Sequence, residues 1–139
     1  MNMAIVQLTR RATFSASHRL WSESLSEKEN QEIFGKCTHI HGHGHNYVLE
    51  VTLQGKVDPK SGVVFSLSDL KEIIERAVLR KVDHKHLNLD VAEFKSLVPT
   101  AENIAVVIWG WLSKELPKGL LHEVLLRETE NNIAIYRGD

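Results

Sequence analysis

The chain has 139 residues, among them 17 basic and 18 acidic side chains with a formal net charge of -1, and it contains a single cysteine. A single domain of this length, residues 1–139, can bury a sizeable core without disulfides, and a lone thiol is typical of a reducing compartment such as the cytoplasm. The balanced charge argues against a nucleic-acid-binding protein, and the apolar pattern predicts neither a signal peptide nor a membrane-spanning segment.

The first predicted element is a long strand over about residues 5–19, where side chains alternate between two faces. Its inward face carries Ala12, Phe14, Ala16 and His18. A short helix follows, because Ser26 and Glu29 match a capping box and Gly35 is a typical helix stop.

The middle of the chain predicts a hairpin and then a helix. A strand begins near Asn46, the turn-rich residues 55–62 reverse the chain, and residues 63–65 form a short partner strand. Ser66 and Asp69 match a second capping box ahead of apolar residues with helical spacing.

The last third predicts another helix and another hairpin. Thr100 caps the helix, which ends near Pro117, and strands follow at about residues 121–129 and 133–137. Strands and helices are thus segregated along the chain, which favours an α+β fold with an antiparallel four-stranded sheet and helices on one face.

Chemically active side chains are most concentrated in the nine residues from Cys37 to His45, which include the only cysteine and four of the eight histidines. His43 and His45 lie on the apolar parity of the strand that this segment enters. Residues two apart in a strand point to the same side about 6.5 Å apart, so both imidazoles can bind one metal ion. We therefore predict a metal site rather than a histidine-rich surface loop.

The ligand set has two alternatives. Two histidines can act with the Cys37 thiolate, or three histidines can bind the ion, with His18 as the third and the thiolate free for chemistry. Three neutral imidazoles leave the charge of a zinc ion uncancelled and one position open, which is the pattern of a catalytic site.

Polar residues at two further places are candidates for chemistry. Asp83 adjoins His84 after a helix, and an aspartate beside a histidine can orient the imidazole for acid–base work. Glu128 shares the parity of Val124 and Leu126, so a carboxylate ends an apolar row, where it needs a partner. The alternative interpretations are a surface loop and an ordinary surface ion pair.

Six segments together resemble the motifs of the 6-pyruvoyl tetrahydropterin synthase family. They are residues 14–20 (FSASHRL), 34–37 (FGKC), 42–47 (GHGHNY), 83–87 (DHKHL), 100–105 (TAENIA) and 128–133 (ETENNI). The resemblance implies the tunnelling (T-fold) architecture, in which subunits form a hexamer of two stacked trimers. The sheets join into a β-barrel, with active sites between subunits.

The same resemblance implies an activity, a zinc-dependent lyase that converts 7,8-dihydroneopterin triphosphate to 6-pyruvoyl-tetrahydropterin and triphosphate in tetrahydrobiopterin biosynthesis. The implied zinc ligands are His18, His43 and His45. The implied catalytic residues are Cys37 as proton acceptor, Asp83, His84 and Glu128. The implied substrate-binding residues are Glu128, as the anchor of the pterin ring, Thr100 and Glu102. A thiolate base needs a lowered pKa at Cys37, for which a metal cation and a protonated His84 are suitable neighbours.

Two departures from the family pattern leave alternatives. His39 and His41 are additions, and His41 with His43 matches the shorter cysteine-to-histidine spacing of the related 6-carboxytetrahydropterin synthases of queuosine biosynthesis. Ala101 replaces a frequent threonine, which affects one pterin contact. The alternative functions are such a carboxytetrahydropterin synthase and a non-catalytic zinc-binding module with Cys37 as a ligand.

Overall fold

The computed structural model describes residues 4–139, and its strands form a five-stranded mixed sheet. The strands are β1 (Ile5–His18), β2 (His43–Lys56), β3 (Lys85–His86), β4 (Leu121–Thr129) and β5 (Asn132–Tyr136). Their order is β3-β1-β2-β4-β5, and all neighbours are antiparallel except β3, which runs parallel to β1.

The predicted α+β class is confirmed, but the prediction of a purely antiparallel, four-stranded sheet is wrong. The additional strand, β3, has two residues, which pair with Ala16 and Ser17 of β1. The amide of His84 also donates to the carbonyl of Ser15 over 2.6 Å. An element of two residues has no alternating pattern, so side-chain periodicity could not reveal it.

The predicted hairpin after β2 is also wrong, because residues 63–65 form no strand. β2 is instead a central strand between β1 and β4. The turn itself is present, since the amide of Gly62 donates to the carbonyl of Asp58 over 2.7 Å.

The helices are α1 (Glu27–Phe34), α2 (Leu67–Ile74), α3 (Arg80–Val82), α4 (Leu87–Asp90) and α5 (Ala101–Ser113). A π-helical turn, Glu75–Leu79, joins α2 to α3, and the 3-10 turns are Gly35–Thr38 and Ala92–Lys95. The capping box of Ser26 and Glu29 is complete, whereas Ser66 only accepts from the Asp69 amide. Thr100 caps α5 by accepting from the Asn103 amide, and the helix ends at Ser113, before the predicted Pro117.

The helices cover one face of the sheet, where the apolar parity of each strand is buried. The inward row of β2 is fully buried and consists of Tyr47, Leu49, Val51 and Leu53. It belongs to one core cluster with the buried residues of α5, Ile104, Ile108 and Leu112. The opposite face carries polar pairs, with Thr9 bonded to Thr52 and Arg127 to Glu50. The core therefore lies between sheet and helices, and its open end is where β1 ends and β2 begins.

Among residues 4–139, no helix has both the length and the apolar character needed to cross a membrane.

Candidate active site

The pairing of β1 with β2 brings three histidines together at the open end of the core. His18, the last residue of β1, is opposite His43, the first residue of β2, and His45 is opposite Ala16. The ring centroids are 4.8 Å apart for His18 and His43, 5.1 Å for His18 and His45, and 4.9 Å for His43 and His45. One nitrogen from each ring lies within 4.8 Å of the others, and in the described part of the chain this converging group includes neither Cys37 nor His41.

His18 is oriented by groups that lie behind it. Its Nδ1 is 2.8 Å from the Pro99 carbonyl oxygen, and the Tyr47 hydroxyl is 3.4 Å from the same nitrogen. A carbonyl oxygen only accepts, so Nδ1 carries the proton and the neutral ring presents the lone pair of Nε2 to the site. Burial, with a smaller contribution from His43 and His45, lowers the pKa of His18 to about 4, against the effect of the Pro99 bond. His18 is therefore neutral near pH 7, as a metal ligand must be.

The histidine cluster fits a metal ion. The Nε2 atoms of His18 and His45 are buried without a hydrogen-bond partner among the described residues. Buried polar nitrogens are nearly always satisfied, and an ion bound between them supplies the missing partner. Burial and the neighbouring His45 also lower the pKa of His43, which keeps this third ring neutral.

Glu128 faces the histidine cluster from β4. Its Oε2 lies 3.9 Å from His18 Nε2 and its Oε1 lies 3.8 Å from His45 Nε2, and its side chain is 15% exposed. The inward parity shared with Val124 and Leu126 brings it there, as the sequence pattern indicated.

Cys37 lies in the 3-10 turn Gly35–Thr38, and its carbonyl accepts from the Leu20 amide over 2.8 Å, which joins this turn to the chain just after His18. Burial, and then the Glu128 carboxylate, raise the pKa of the Cys37 thiol. The expected lowering of this pKa is thus not produced by the side chains of one chain. A thiolate here requires a cation nearby, which the histidine cluster is suited to bind.

Asp83 and His84 lie at the edge of the sheet, on the side of β1 away from β2. Asp83 Oδ1 accepts from the Ser15 amide over 3.0 Å and lies 3.1 Å from His84 Nδ1. The Ser15 bond is the main cause that lowers the pKa of Asp83. The His84 side chain is 83% exposed, and its φ of 60° is unusual for a residue other than glycine. No hydrogen bond links this pair to Cys37 within residues 4–139.

A pocket of about 710 Å³ joins the three predicted substrate-binding residues, Thr100, Glu102 and Glu128. Its remaining wall is mostly apolar and includes Leu20, Phe34, Ala101, Ala105, Ala134 and Tyr136. A pocket that combines carboxylates with apolar side chains can orient a flat heterocycle that carries N–H donors.

His39 and His41 lie outside the cluster. Both are exposed, their ring centroids are 5.6 Å apart, and His39 Nδ1 accepts from the His41 amide over 3.3 Å. The His41 amide thus occupies the Nδ1 lone pair of His39.

Sequence reasoning missed the groups behind the ligands. Pro99 acts through its carbonyl, which no side-chain pattern reveals. Tyr47 shares the parity of His43 and His45, and that signal could have placed its hydroxyl beside the cluster.

Comparison with known proteins identifies close relatives. Residues 7–139 match the family model described as 6-pyruvoyl tetrahydropterin synthase. The chain is 50% identical over 133 residues to the human protein named 6-pyruvoyl tetrahydrobiopterin synthase, covering 96% of this chain and 92% of the human one. A protein of the same name from Dictyostelium discoideum is 50% identical over 134 residues, with coverage of 96% and 97%.

Two solved structures extend the comparison. The 6-pyruvoyl tetrahydropterin synthase of Caenorhabditis elegans superposes with a TM-score of 0.95 at 45% identity, covering 100% of this chain and 99% of that chain. The Plasmodium falciparum protein of that name superposes with a TM-score of 0.70 at 19% identity, covering 97% and 98%, which supports the fold alone.

Proposed function

This chain belongs to the 6-pyruvoyl tetrahydropterin synthase family, and we propose that it converts 7,8-dihydroneopterin triphosphate to 6-pyruvoyl-tetrahydropterin and triphosphate as a zinc-dependent lyase. The observation that carries the proposal is the convergence of His18, His43 and His45, two of them with buried, unpartnered Nε2 atoms, beside a pocket that Glu128 also lines. Three neutral nitrogen ligands with an open position are typical of catalytic zinc.

Each residue of the site has a distinct role in this reaction. Bound zinc supplies Lewis-acid polarisation of the substrate's side-chain oxygens, which makes the neighbouring C–H groups more acidic. Cys37, as thiolate, accepts those protons, while Glu128 accepts hydrogen bonds from the N–H edge of the pterin ring and fixes it in the pocket with Thr100 and Glu102 nearby. Protons removed and returned along the side chain move electrons within the substrate, so triphosphate leaves without a nicotinamide or flavin.

The exposed Asp83 and His84 assist Cys37 of a neighbouring subunit. The pair lies beyond β1 from the histidine cluster, and its high exposure leaves His84 free to reach another chain. A homohexamer of two trimers, with sheets joined into a barrel, accommodates this arrangement. It also covers the open sheet edges at β3 and β5, which would otherwise present unpaired backbone groups. We propose the cytoplasm as the compartment, since the only cysteine is free.

Turnover of 7,8-dihydroneopterin triphosphate tests the proposal. We expect a product with the mass of 6-pyruvoyl-tetrahydropterin and one triphosphate per turnover, with activity lost to a zinc chelator and restored by zinc. Release of acetaldehyde with a carboxylated pterin would identify the chain as a carboxytetrahydropterin synthase. Absence of turnover in the zinc-loaded protein would leave the non-catalytic zinc-binding module.

A further inference from the structure

Glu128 lies closer to the histidine cluster than a residue that only anchors the pterin ring needs to lie. Its two oxygens face two different imidazoles, at 3.9 Å from His18 Nε2 and 3.8 Å from His45 Nε2. The cluster nitrogens lie within 4.8 Å of one another, and Glu128, although outside that group, is directly beside two of its three rings. Within residues 4–139, Glu128 lies within 4.0 Å of these two imidazoles, and no lysine or arginine forms an ion pair with it.

The distances from the Glu128 oxygens to the histidine nitrogens can be compared with the distances between ligand atoms around a bound ion. Ligand bonds of about 2.0–2.1 Å in tetrahedral geometry hold neighbouring ligand atoms about 3.4 Å apart. The two oxygen-to-nitrogen distances of Glu128, 3.9 Å and 3.8 Å, exceed this ligand-to-ligand separation by roughly half an ångström, a difference that small side-chain rotations can close. A carboxylate that is largely buried needs a counter-charge, which a divalent ion provides.

We infer that in the substrate-free protein Glu128 is a displaceable fourth ligand of the ion held by His18, His43 and His45, and that it leaves the ion when a pterin ring docks. This rests on the proposed function for the identity of the ring. In the resting state the carboxylate neutralises part of the ion's charge. Once Glu128 turns to the pterin edge, a coordination position opens for the substrate's side-chain oxygens, and the ion becomes a stronger Lewis acid because one anionic ligand is gone.

Cobalt substitution tests this without any turnover, since the visible absorption bands of Co²⁺ report its ligands. The variant is Glu128→Gln, which keeps the shape and removes the charge. Its matched control is Glu123→Gln on the same strand, where a side chain that is 18% exposed pairs with Arg137 instead of a histidine. We expect Glu128→Gln to shift the cobalt bands and to weaken Co²⁺ affinity at least about 10-fold in competition with a chelator. We expect Glu123→Gln to match the unsubstituted protein.

A second measurement uses the unsubstituted protein, so it does not depend on the folding of a variant. 6-Methylpterin, which has the ring edge but no side-chain hydroxyls, is titrated into the cobalt-loaded protein, with its binding followed by fluorescence. The cobalt bands should shift over the same 6-methylpterin concentrations as the fluorescence changes. Such a shift supports displacement of Glu128.

The inference is overturned if Glu128→Gln leaves the cobalt bands and the Co²⁺ affinity unchanged. It is also overturned if 6-methylpterin binds without shifting the cobalt bands. If Glu128→Gln loses turnover while its cobalt spectrum stays that of the unsubstituted protein, Glu128 is a pterin anchor only and the proposed function stands. If 6-methylpterin fails to bind but Glu128→Gln shifts the bands, the ligand role stands and the proposed substrate is in doubt.

Discussion

Replacing Gly42 by alanine should damage the proposed metal centre, although Gly42 is not one of its predicted ligands. Gly42 immediately precedes His43 and has a φ of +73°, and a Cβ there would lie 2.7 Å from the His18 carbonyl oxygen and 3.0 Å from His86 Nε2. The left-handed conformation costs a non-glycine residue roughly 1–2 kcal/mol, and overpacking against backbone costs about 1–3 kcal/mol more. We therefore expect Gly42→Ala to lower the free energy of unfolding by about 2–5 kcal/mol.

The strain falls between two ligands, so metal binding should weaken as well. Gly44→Ala is the matched control, because Gly44 lies between His43 and His45, yet its Cβ would meet only the Ala16 carbonyl at 3.6 Å, an ordinary contact. Urea unfolding of the metal-free variants and chelator competition of the zinc-loaded ones measure both effects. The reasoning is refuted if the two variants unfold at the same urea concentration and hold zinc equally well.

Three further predictions follow from the same site. Cys37→Ala should retain stoichiometric zinc but lose turnover, and zinc loss on purification would mean that the thiolate is a ligand. Subunits carrying Cys37→Ala or His84→Ala should each be inactive alone, yet co-expression should recover part of the activity in mixed assemblies of the proposed hexamer. No recovery would mean that both residues serve the same subunit. Metal-free protein should lose roughly 2–3 kcal/mol of stability between pH 7 and 4.5 through His18, because the unfolded chain takes up a proton near pH 6.5 and the buried ring only near its pKa of about 4. Urea unfolding of His18→Gln at both pH values measures this, and a pH dependence equal to that of the unsubstituted protein would contradict it.

Strand alternation predicted which side chains of the candidate site share one face of the sheet. The alternating apolar pattern of each strand includes four side chains of the site: His18, His43, His45 and Glu128. Because the apolar face of the sheet is buried, side chains that share this pattern lie near one another in the folded chain. The pairing of His18 with His43 depends on register, which the buried face enforces, since a slip of one residue would expose the whole apolar row.

Other features depend on contacts that alternation does not encode. β3 is too short for a pattern, and the Pro99 carbonyl reaches His18 across 81 positions of the chain. The environment of the Cys37 thiol combines burial with the distant Glu128, which together raise its pKa. The position of Asp83 at a sheet edge follows from its bond to the Ser15 amide, a contact between residues 68 positions apart.

Zinc K-edge X-ray absorption of the zinc-loaded, substrate-free protein decides most directly whether three histidines hold the ion and leave Cys37 free to take up protons. We predict a first shell of nitrogen and oxygen scatterers only, at about 2.0–2.2 Å. A sulfur scatterer at about 2.3 Å would make Cys37 a ligand and contradict its role as the base.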